Sequence, residues 1–517
     1  MNTRMKTVFG ILVLAATLSG VSGCKKFLDR KPLSATLDDI PGGGVEGQIL
    51  GLYGAIRHPD ASGNGFGGIM WLGLHVARGE DADATADPNG TGYANLFDRY
   101  IYAVDDWAPN TYYEQHYKLS GLANTAIQTI DSLQLTDPDN QRRKAEALFF
   151  RAFTYFDLVR TYGKVPLILK RIYTPSQANV PKANEADIYA AIDADLTFAE
   201  QHLPLNWVQP NGDNRYPGRL TVGAAKSLHA KTYIQRGLWA QALPLLKDVI
   251  NSNQYDLMPD FGQLWTNTGE NSNERIWDIQ AFQSAGRKDD YWSWWGTEQG
   301  VRGDGDWNLG WGFNIPSKQL VDSFDTNDPR KFETILFAGA PDDTTYVGDP
   351  DGTSRGYRRR LPPYPGSLGV PYFNKKTYAD PNEQLNVGDV HGAAYINQPI
   401  IRFADVLLMA AEAANETNNS ADAVNYLERV RLRARDGDPT VLPKINFVSQ
   451  AQMRNAIKHE RLVELAMEGG RFYDLVRWND AVRVLGPLGY QPKNALYPLP
   501  KPEVDKSNGV LIQNPDY

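Results

Sequence analysis

The amino-acid sequence predicts a mainly α-helical protein in which pairs of short helices form the scaffold and a long, loop-rich segment carries an aromatic face. Three observations predict this fold class. Apolar residues recur at three- and four-residue spacing through 141–162 and 185–202, which is the period of an amphipathic helix. Two further pairs of helical segments are each joined by a tight polar turn. Between those pairs, residues 255–395 are rich in Gly, Pro, Trp and Tyr and show no helical period.

The N-terminus has the pattern of a bacterial lipoprotein signal. Arg4 and Lys6 give a positive start, an apolar run covers 8–18, and small residues directly precede Cys24. The apolar run is too short to span a bilayer stably. Cys24 is the only cysteine among 517 residues, so an intramolecular disulfide is excluded. We predict that residues 1–23 are removed and that Cys24 carries lipid, which anchors the chain to a membrane.

The remaining chain is predicted to be an acidic body on a lipid tether. Removing 1–23 takes away Arg4 and Lys6, which lowers the formal net charge from −8 to −10. No basic stripe offsets this charge, so nucleic acid is not expected as a partner. Residues 24–45 contain Pro and Gly and are interpreted as the lipidated N-terminus and tether, and 46–517 as a single domain.

The helical elements follow in order along this domain. Helical patterns are predicted at 47–56 and 112–133, with Gly-, Asp- and aromatic-rich loops over 58–110 between them. The strongest pattern runs through 141–162 and is stopped by Gly163. The pattern at 185–202 repeats the same apolar face.

Two helix pairs complete the scaffold. Residues 221–236 pair with 239–251, and 402–415 pair with 421–435. Both pairs carry alanines at interior positions, which allow two helices to approach closely. Paired helices of this length are similar to tetratricopeptide-type repeats, although the full repeat consensus is absent.

A cluster of aromatic residues in the central excursion is the first candidate ligand site. Stacking on a sugar ring requires a flat apolar face beside polar groups for the hydroxyls, and an indole flanked by Asp, Asn and Arg provides both. The alternative is that these rings pack against the helical body. Because Trp292, Trp294 and Trp295 occupy three of four positions, we expect one or two of them to be exposed. The candidates are Tyr291, Trp292, Trp294, Trp295, Trp307 and Trp311.

A second aromatic and polar cluster lies in the early loops. Aromatic residues are enriched at binding sites because they offer contact area at low entropic cost. The candidates in this cluster are Trp71, Arg78, Asp81, Tyr93, Asn95 and Trp107.

The most conspicuous carboxylates are interpreted as structural rather than catalytic. Glu460, Glu464 and Glu468 are spaced by four residues, as on one helix face. Two carboxylates can serve a glycosidase, but arginines lie alongside at 461, 471 and 477, and ion pairs on a helix are ordinary. Asp405 is likewise interpreted as a structural group close to Arg402. We predict no catalytic residue.

No metal or cofactor is predicted. The histidines are scattered without a zinc-binding spacing. The acidic stretches 304–306 and 349–352 contain oxygen ligands that calcium uses, but neither completes an EF-hand loop, and Asp-Gly pairs are typical of turns.

Six segments resemble the SusD/RagB family of outer-membrane lipoproteins, and they occur in order from the lipidation site to the C-terminus. The final segment departs at Asp516, where the family commonly has Gly. The segments are 24–32, 151–167, 218–225, 401–413, 460–478 and 513–517, the last two within a C-terminal family region at about 456–517.

The resemblance implies four tetratricopeptide-like helix pairs with a loop-rich face. It also implies an outer-membrane lipoprotein, exposed outside the cell, that binds a nutrient oligosaccharide or polysaccharide and caps a SusC-like TonB-dependent transporter. Lys25 and Lys26 follow the cysteine where surface-export signals of this lineage are usually acidic. The outward-facing side is therefore an expectation from the resemblance and not from the anchor sequence.

Three alternatives for the function stay open at the level of sequence. The ligand could be a peptide, as in the RagB branch. The chain could be a lipid-anchored glycosidase. A pure assembly scaffold is the third, since helix-pair repeats commonly bind proteins.

Overall fold

A computed structural model describes residues 44–57, 66, 68–85, 95–208, 212, 216–281, 294–303, 305–340, 360–378 and 396–517. Within these ranges helices dominate, and the strands form three two-stranded sheets, so the predicted fold class is confirmed. The predicted signal peptide, Cys24 and most of the tether lie outside the described residues. No helix in the described ranges is long and apolar enough to cross a membrane.

The described part of the chain holds nine helices of 13 residues or more. They are α1 (Gly44–Arg57), α2 (Trp107–Ser132), α3 (Pro138–Tyr162), α4 (Glu185–His202), α5 (Val222–Gln235), α6 (Trp239–Asn251), α7 (Phe403–Glu416), α8 (Ser420–Ala434) and α9 (Gln450–Glu464). The shorter helices are Ile69–His75, Asn95–Asp98, Pro175–Ala178, Trp294–Gln299, Lys318–Ser323, Arg330–Thr334, Arg471–Arg477, Ala481–Leu485 and Lys501–Lys506.

The long helices pack in chain order as a continuous stack. Helix α2 packs on α3, α3 on α4, α4 on α5 and α5 on α6. Helix α6 then packs directly on α7, although residues 252–402 separate them in the chain. Helix α7 pairs with α8, and α9 packs against both. The two predicted helix pairs, α5 with α6 and α7 with α8, are confirmed.

Local signals set the helix ends. Helix α3 begins three residues before the predicted start because the Asp137 side chain caps it, accepting a hydrogen bond from the Asn140 backbone N–H at 3.0 Å, and Pro138 occupies the first turn. It ends at Gly163, which adopts φ 72°. Helix α2 begins at Trp107, inside the stretch that was predicted to be loop.

Helix α7 lies at the centre of the stack. Every residue from Phe403 to Asn415 is buried. Its five alanines are fully buried, and their small side chains let α6, α8 and α9 pack closely against the same helix. Helix α7 is therefore surrounded by protein along nearly its whole length.

Three antiparallel strand pairs organise the central excursion, and the third of them lies wholly within it. They are β1 (Ala82–Thr85) with β3 (Phe313–Pro316), β2 (Arg275–Ile279) with β6 (Gln398–Arg402), and β4 (Ile335–Phe337) with β5 (Tyr372–Asn374).

The C-terminal glutamates form buried ion pairs, but not on a single helix face. Helix α9 ends at Glu464, and Glu468 follows in a turn where Met467 and Gly469 have positive φ, so the prediction of one helix face was wrong. The predicted partners were also wrong. Arg330 and Arg402 contact Glu464 at 3.0 and 3.2 Å.

These ion pairs agree with a packing role for the three carboxylates. Glu460 forms ion pairs with Arg330 and Arg431. Glu464 forms a further ion pair with Arg433, and Glu468 forms ion pairs with Arg402 and Lys376. The surrounding cations hold the pKa of Glu464 and of Glu468 below the ordinary value despite burial.

Asp405 is structural as predicted, but its partner differs. Its carboxylate accepts hydrogen bonds from Lys231 at 3.0 Å and Arg461 at 2.8 Å, not from Arg402. Arg402 ends β6, whereas Asp405 lies in the first turn of α7, so the two side chains do not share a helix face. The Arg402 side chain turns to Glu274, Glu464 and Glu468 instead.

Candidate ligand-binding site

The pairing of β1 with β3 brings the two predicted aromatic clusters to one place. The register joins Ala82 to Pro316 and Thr85 to Phe313. Because the pair is antiparallel, the chain that leaves β1 and the chain that enters β3 meet at the same end of the sheet. Trp311 lies two residues before β3 and therefore at this end. We call Trp294, Trp307 and Trp311, the described tryptophans of the central cluster that are not buried, the aromatic surface.

Trp311 is presented on a tightly packed support. Its backbone N–H donates to the Thr297 carbonyl at 3.1 Å, and Gly312 N–H donates to the Gly300 carbonyl at 3.1 Å. A Cβ added to Gly310 would lie 2.5 Å from both the Gly300 Cα and the Thr297 carbonyl oxygen, so only glycine permits this approach. The Trp311 side chain is 40% exposed. An exposed indole on a rigid support is suited to stacking on a flat ligand.

The other central tryptophans differ in exposure. Trp307 is half-buried in a short 3-10 helix and packs against a small core around Leu309 and Leu368. Trp294 is half-buried at the start of the helix Trp294–Gln299, whereas Trp295 is buried in the main core. Tyr291 and Trp292 lie outside the described residues, so the expectation about Trp292 remains a prediction.

The helix Trp294–Gln299 packs against the early helix Ile69–His75, a second contact between the two clusters. Trp71 of the early helix is buried and stacks on His75, with 4.8 Å between ring centroids and 9° between planes. Its indole edge fits against Gly469, where an added Cβ would lie 2.5 Å from Trp71 Cη2. Trp71 therefore packs between the early helix and the C-terminal segment.

Arg78 and Asp81 are buried between the early loops and the C-terminal segment. The Arg78 guanidinium lies 3.8 Å above the Phe472 ring, and its Nε donates to the Leu74 carbonyl at 2.8 Å. The Asp81 carboxylate accepts a hydrogen bond from Met467 N–H at 3.0 Å, and burial raises the pKa of Asp81 to about 6. In this structure both side chains serve packing.

Trp107 is the early-cluster tryptophan that is open to solvent, at 48% exposure in the first turn of α2. Asn95 begins the short helix Asn95–Asp98 and is half-buried. Tyr93 lies outside the described residues.

Glu298 is a site residue that sequence reasoning missed. Its side chain is only 6% exposed and has no hydrogen-bond or ion-pair partner among the described residues. Burial raises the pKa of Glu298 to about 8. It follows Trp294 by four residues, so the two share a face of one short helix. A carboxyl group that is protonated near neutral pH can donate as well as accept a hydrogen bond.

The described residues offer no group of three or more His, Cys, Asp or Glu side chains arranged to hold a metal ion. Asp304 and the stretch 349–352, considered above as possible calcium ligands, lie outside the described residues.

Two family models match the chain. The SusD family model matches residues 263–495, and a model described as starch-binding associating with outer membrane matches residues 77–234. SusD-like protein P2 of Formosa agariphila is 30% identical over an alignment that covers 86% of this chain and 87% of the relative.

Solved structures show the same architecture. A laminarin-binding SusD-like protein has a TM-score of 0.73 and 26% identity, covering 92% of this chain and 99% of that chain. Surface glycan-binding protein A from Bacteroides thetaiotaomicron, solved with laminarihexaose, has a TM-score of 0.72 at 21% identity, covering 91% and 98%. The second likeness concerns the fold alone.

Proposed function

The chain belongs to the SusD family, and we propose that it is a non-catalytic lipoprotein that binds a neutral glycan through the aromatic surface. The observation that carries the proposal is Trp311, an exposed indole held on a rigid support where the early loops meet the central excursion. Sugar rings offer apolar faces that stack on indoles, while their hydroxyls need polar partners beside the ring.

A β-glucan of the laminarin type is the first ligand to test. The solved neighbour that is 26% identical is described as laminarin-binding, and it covers nearly the whole of this chain. The acidic net charge of −8 disfavours an anionic polysaccharide. Trp294 and Trp307 extend the surface around Trp311, and Glu298 supplies a hydroxyl partner.

The proposal also covers how the chain is attached to the membrane and where the bound glycan is delivered. Cys24 carries the lipid, the lipid holds the chain on the outer membrane facing outward, and the bound glycan passes to a SusC-like TonB-dependent transporter. The starch-binding family model that matches 77–234 is described as associating with the outer membrane. Labelling with a radioactive fatty acid tests the anchor, with Cys24→Ala as the unlabelled control. Purification of the tagged chain from membranes, followed by identification of co-purifying transporters, tests the partner.

Native affinity electrophoresis tests glycan binding. Migration of the purified chain is compared in gels with and without laminarin, and then with starch, xylan and mannan. Laminarin is expected to retard the wild-type chain, and Trp311→Ala is expected to abolish most of the retardation. Phe447→Ala is the matched control, because Phe447 is an aromatic residue of similar exposure, 42%, outside the aromatic surface.

The proposal is wrong if no neutral polysaccharide retards the wild-type chain. Retention by a peptide column instead would favour the RagB-type alternative. Release of reducing sugar by the purified chain, lost on changing one carboxylate, would favour the glycosidase.

A further inference from the structure

Strand β2 and residues from the two stretches 205–208 and 216–221 line a cavity of about 170 Å³. At the roughly 30 Å³ that one water takes in the liquid, this is room for about six waters. The tryptophans of the aromatic surface do not line it. Its walls include Trp207, Tyr216 and Trp277, and its polar lining includes Arg275 and Asp278. The cavity is therefore separate from the site proposed above.

Arg275 and Asp278 are both buried, at 8% and 3% exposure, yet most of their polar atoms have no hydrogen bond to any described residue. Neither carboxylate oxygen of Asp278 accepts a hydrogen bond there, and Arg275 Nε and Nη1 donate none, while Nη2 donates to the Leu264 carbonyl at 2.8 Å. The nearest approach of the two charges, Arg275 Nη1 to Asp278 Oδ2, is 3.8 Å, too long for a hydrogen bond.

Glu274, the residue before Arg275, has the hydrogen bonds that Arg275 and Asp278 lack. Glu274 is fully buried, and its carboxylate accepts hydrogen bonds from Arg402 at 2.5 Å, Arg433 at 3.0 Å and Met258 N–H at 2.7 Å. Buried charges in folded proteins are normally bonded in this way, and an exception needs an explanation. A ligand that supplies the missing hydrogen bonds explains the Arg275–Asp278 pair.

The edge of the cavity offers more unused polar groups. Asn271, Ser272 and Asn273 are consecutive lining residues. The Ser272 hydroxyl is buried without a partner, and the side-chain amides of both asparagines make no hydrogen bond within the described ranges. Amides and hydroxyls both donate and accept.

We propose that this cavity is a second binding site, which takes a single neutral sugar unit. A sugar hydroxyl donates to a carboxylate and accepts from a guanidinium, so it satisfies Asp278 and Arg275 at once. A metal cation does not fit, because Asp278 is the only carboxylate among the described lining residues and the Arg275 charge lies beside it. An anion is disfavoured by Asp278 for the same reason. Aromatic rings beside convergent hydrogen-bonding groups, as Trp207, Tyr216 and Trp277 stand beside the polar lining here, suit a small polar ligand such as a sugar.

Saturation-transfer NMR on the purified chain, without lipid, tests this proposal with neutral methyl pyranosides of glucose, galactose, mannose and xylose. At least one glycoside is expected to give a signal. Asn273→Ala and Asp278→Asn are each expected to weaken its affinity at least fivefold. Trp311→Ala is expected to leave this signal unchanged while abolishing retention by polysaccharide.

The outcomes separate the two sites. Absence of any pyranoside signal, or a signal that both cavity variants leave unchanged, overturns the second site and does not bear on the aromatic surface. Loss of the signal in Trp311→Ala alone overturns it too, because the sugar then binds at the aromatic surface. If free glycine gives a stronger signal than the pyranosides, and Asp278→Asn removes that signal, the cavity binds an amino acid and the sugar proposal is overturned. If Asp278→Asn fails to fold, Asn273→Ala decides, since it removes an exposed amide at the cavity edge and leaves the buried pair in place.

Discussion

The backbone N–H of Trp311 donates to the carbonyl of Thr297 at 3.1 Å, which fastens the exposed indole to the helix that carries Glu298. The stacking face and the buried carboxyl group are thus parts of one small rigid unit. A substitution that disturbs the backbone packing of this unit is expected to change ligand affinity, whereas a substitution of Glu298 is expected to change the pH dependence of stability.

Gly310→Ala is expected to weaken glycan binding although Trp311 remains present. The added methyl would lie 2.5 Å from the backbone of Gly300, which has no side chain to move aside, so the segment carrying Trp311 must shift. A displaced indole loses its stacking geometry, and we expect at least a tenfold loss of laminarin affinity by calorimetry. Gly121→Ala on α2 is the control, since an added Cβ there meets nothing within 4 Å. Equal affinity in both variants would contradict the assigned support.

Glu298→Gln is expected to stabilise the protein increasingly as pH rises. The pKa of Glu298 is raised to about 8 from an ordinary value of 4.5, so the folded state holds the proton more tightly than the unfolded state. Ionisation therefore destabilises the wild type progressively from about pH 4.5 to pH 8, and glutamine removes this effect. Each pKa unit corresponds to about 1.4 kcal/mol, so the difference at pH 8 is on the order of a few kcal/mol.

Thermal unfolding between pH 5 and pH 8 measures the Glu298 effect. The melting temperature of Glu298→Gln should rise relative to wild type across this range, whereas Glu114→Gln, at an exposed position of α2, should follow the wild type throughout. A constant offset between Glu298→Gln and wild type would show that Glu298 ionises normally.

Arg402→Met is expected to destabilise the fold by about 3–5 kcal/mol, because it leaves Glu274, Glu464 and Glu468 with less compensating charge in a buried setting. Urea unfolding measures the loss. Lys318→Met breaks the exposed pair with Asp322 and should change the free energy of unfolding by less than about 1 kcal/mol. Similar small effects in both variants would mean that the buried network is not needed for stability.

Gly469→Ala is expected to destabilise the protein by more than about 1 kcal/mol, whereas Gly470→Ala is not. Gly469 has φ 84°, and an added Cβ would lie 2.5 Å from the Trp71 indole. Gly470 has an ordinary φ and nothing within 4 Å of an added Cβ. The comparison of the two neighbours by thermal unfolding separates the joint effect of the Trp71 contact and the positive φ from the general effect of removing a glycine. Equal melting temperatures would contradict the packing assigned to Trp71.

The helix pairs could be predicted from the sequence because each helix has its own apolar pattern and a short polar turn joins the two helices of each pair. The contact between α6 and α7 could not, since about 150 residues separate them in the chain and no local pattern records their packing. The strands were also missed. Strands of three to five residues, such as β4 (Ile335–Phe337) and β2 (Arg275–Ile279), are too short for their alternation to stand out from a Gly- and Pro-rich background.

The candidate site was predicted as two separate regions, which the β1–β3 pairing and the packing of the helix Trp294–Gln299 on the helix Ile69–His75 join. Composition alone did not distinguish Trp311, which is exposed, from Trp295, which is buried, because exposure depends on tertiary packing. Glu298 was missed for a related reason. A carboxylate in a polar stretch is normally solvated, and only the fold shows that this one is buried.

The direct packing of α6 on α7 makes the excursion between them a side branch of the helical stack. The two ends of the excursion leave from neighbouring helices. The contacts between α6 and α7 offset the entropy cost of closing so long a loop, and that cost grows only slowly with loop length. The residues that meet ligand can therefore be lengthened, shortened or exchanged while the scaffold keeps its shape. One framework can in this way carry different specificities, with the excursion as the interchangeable part.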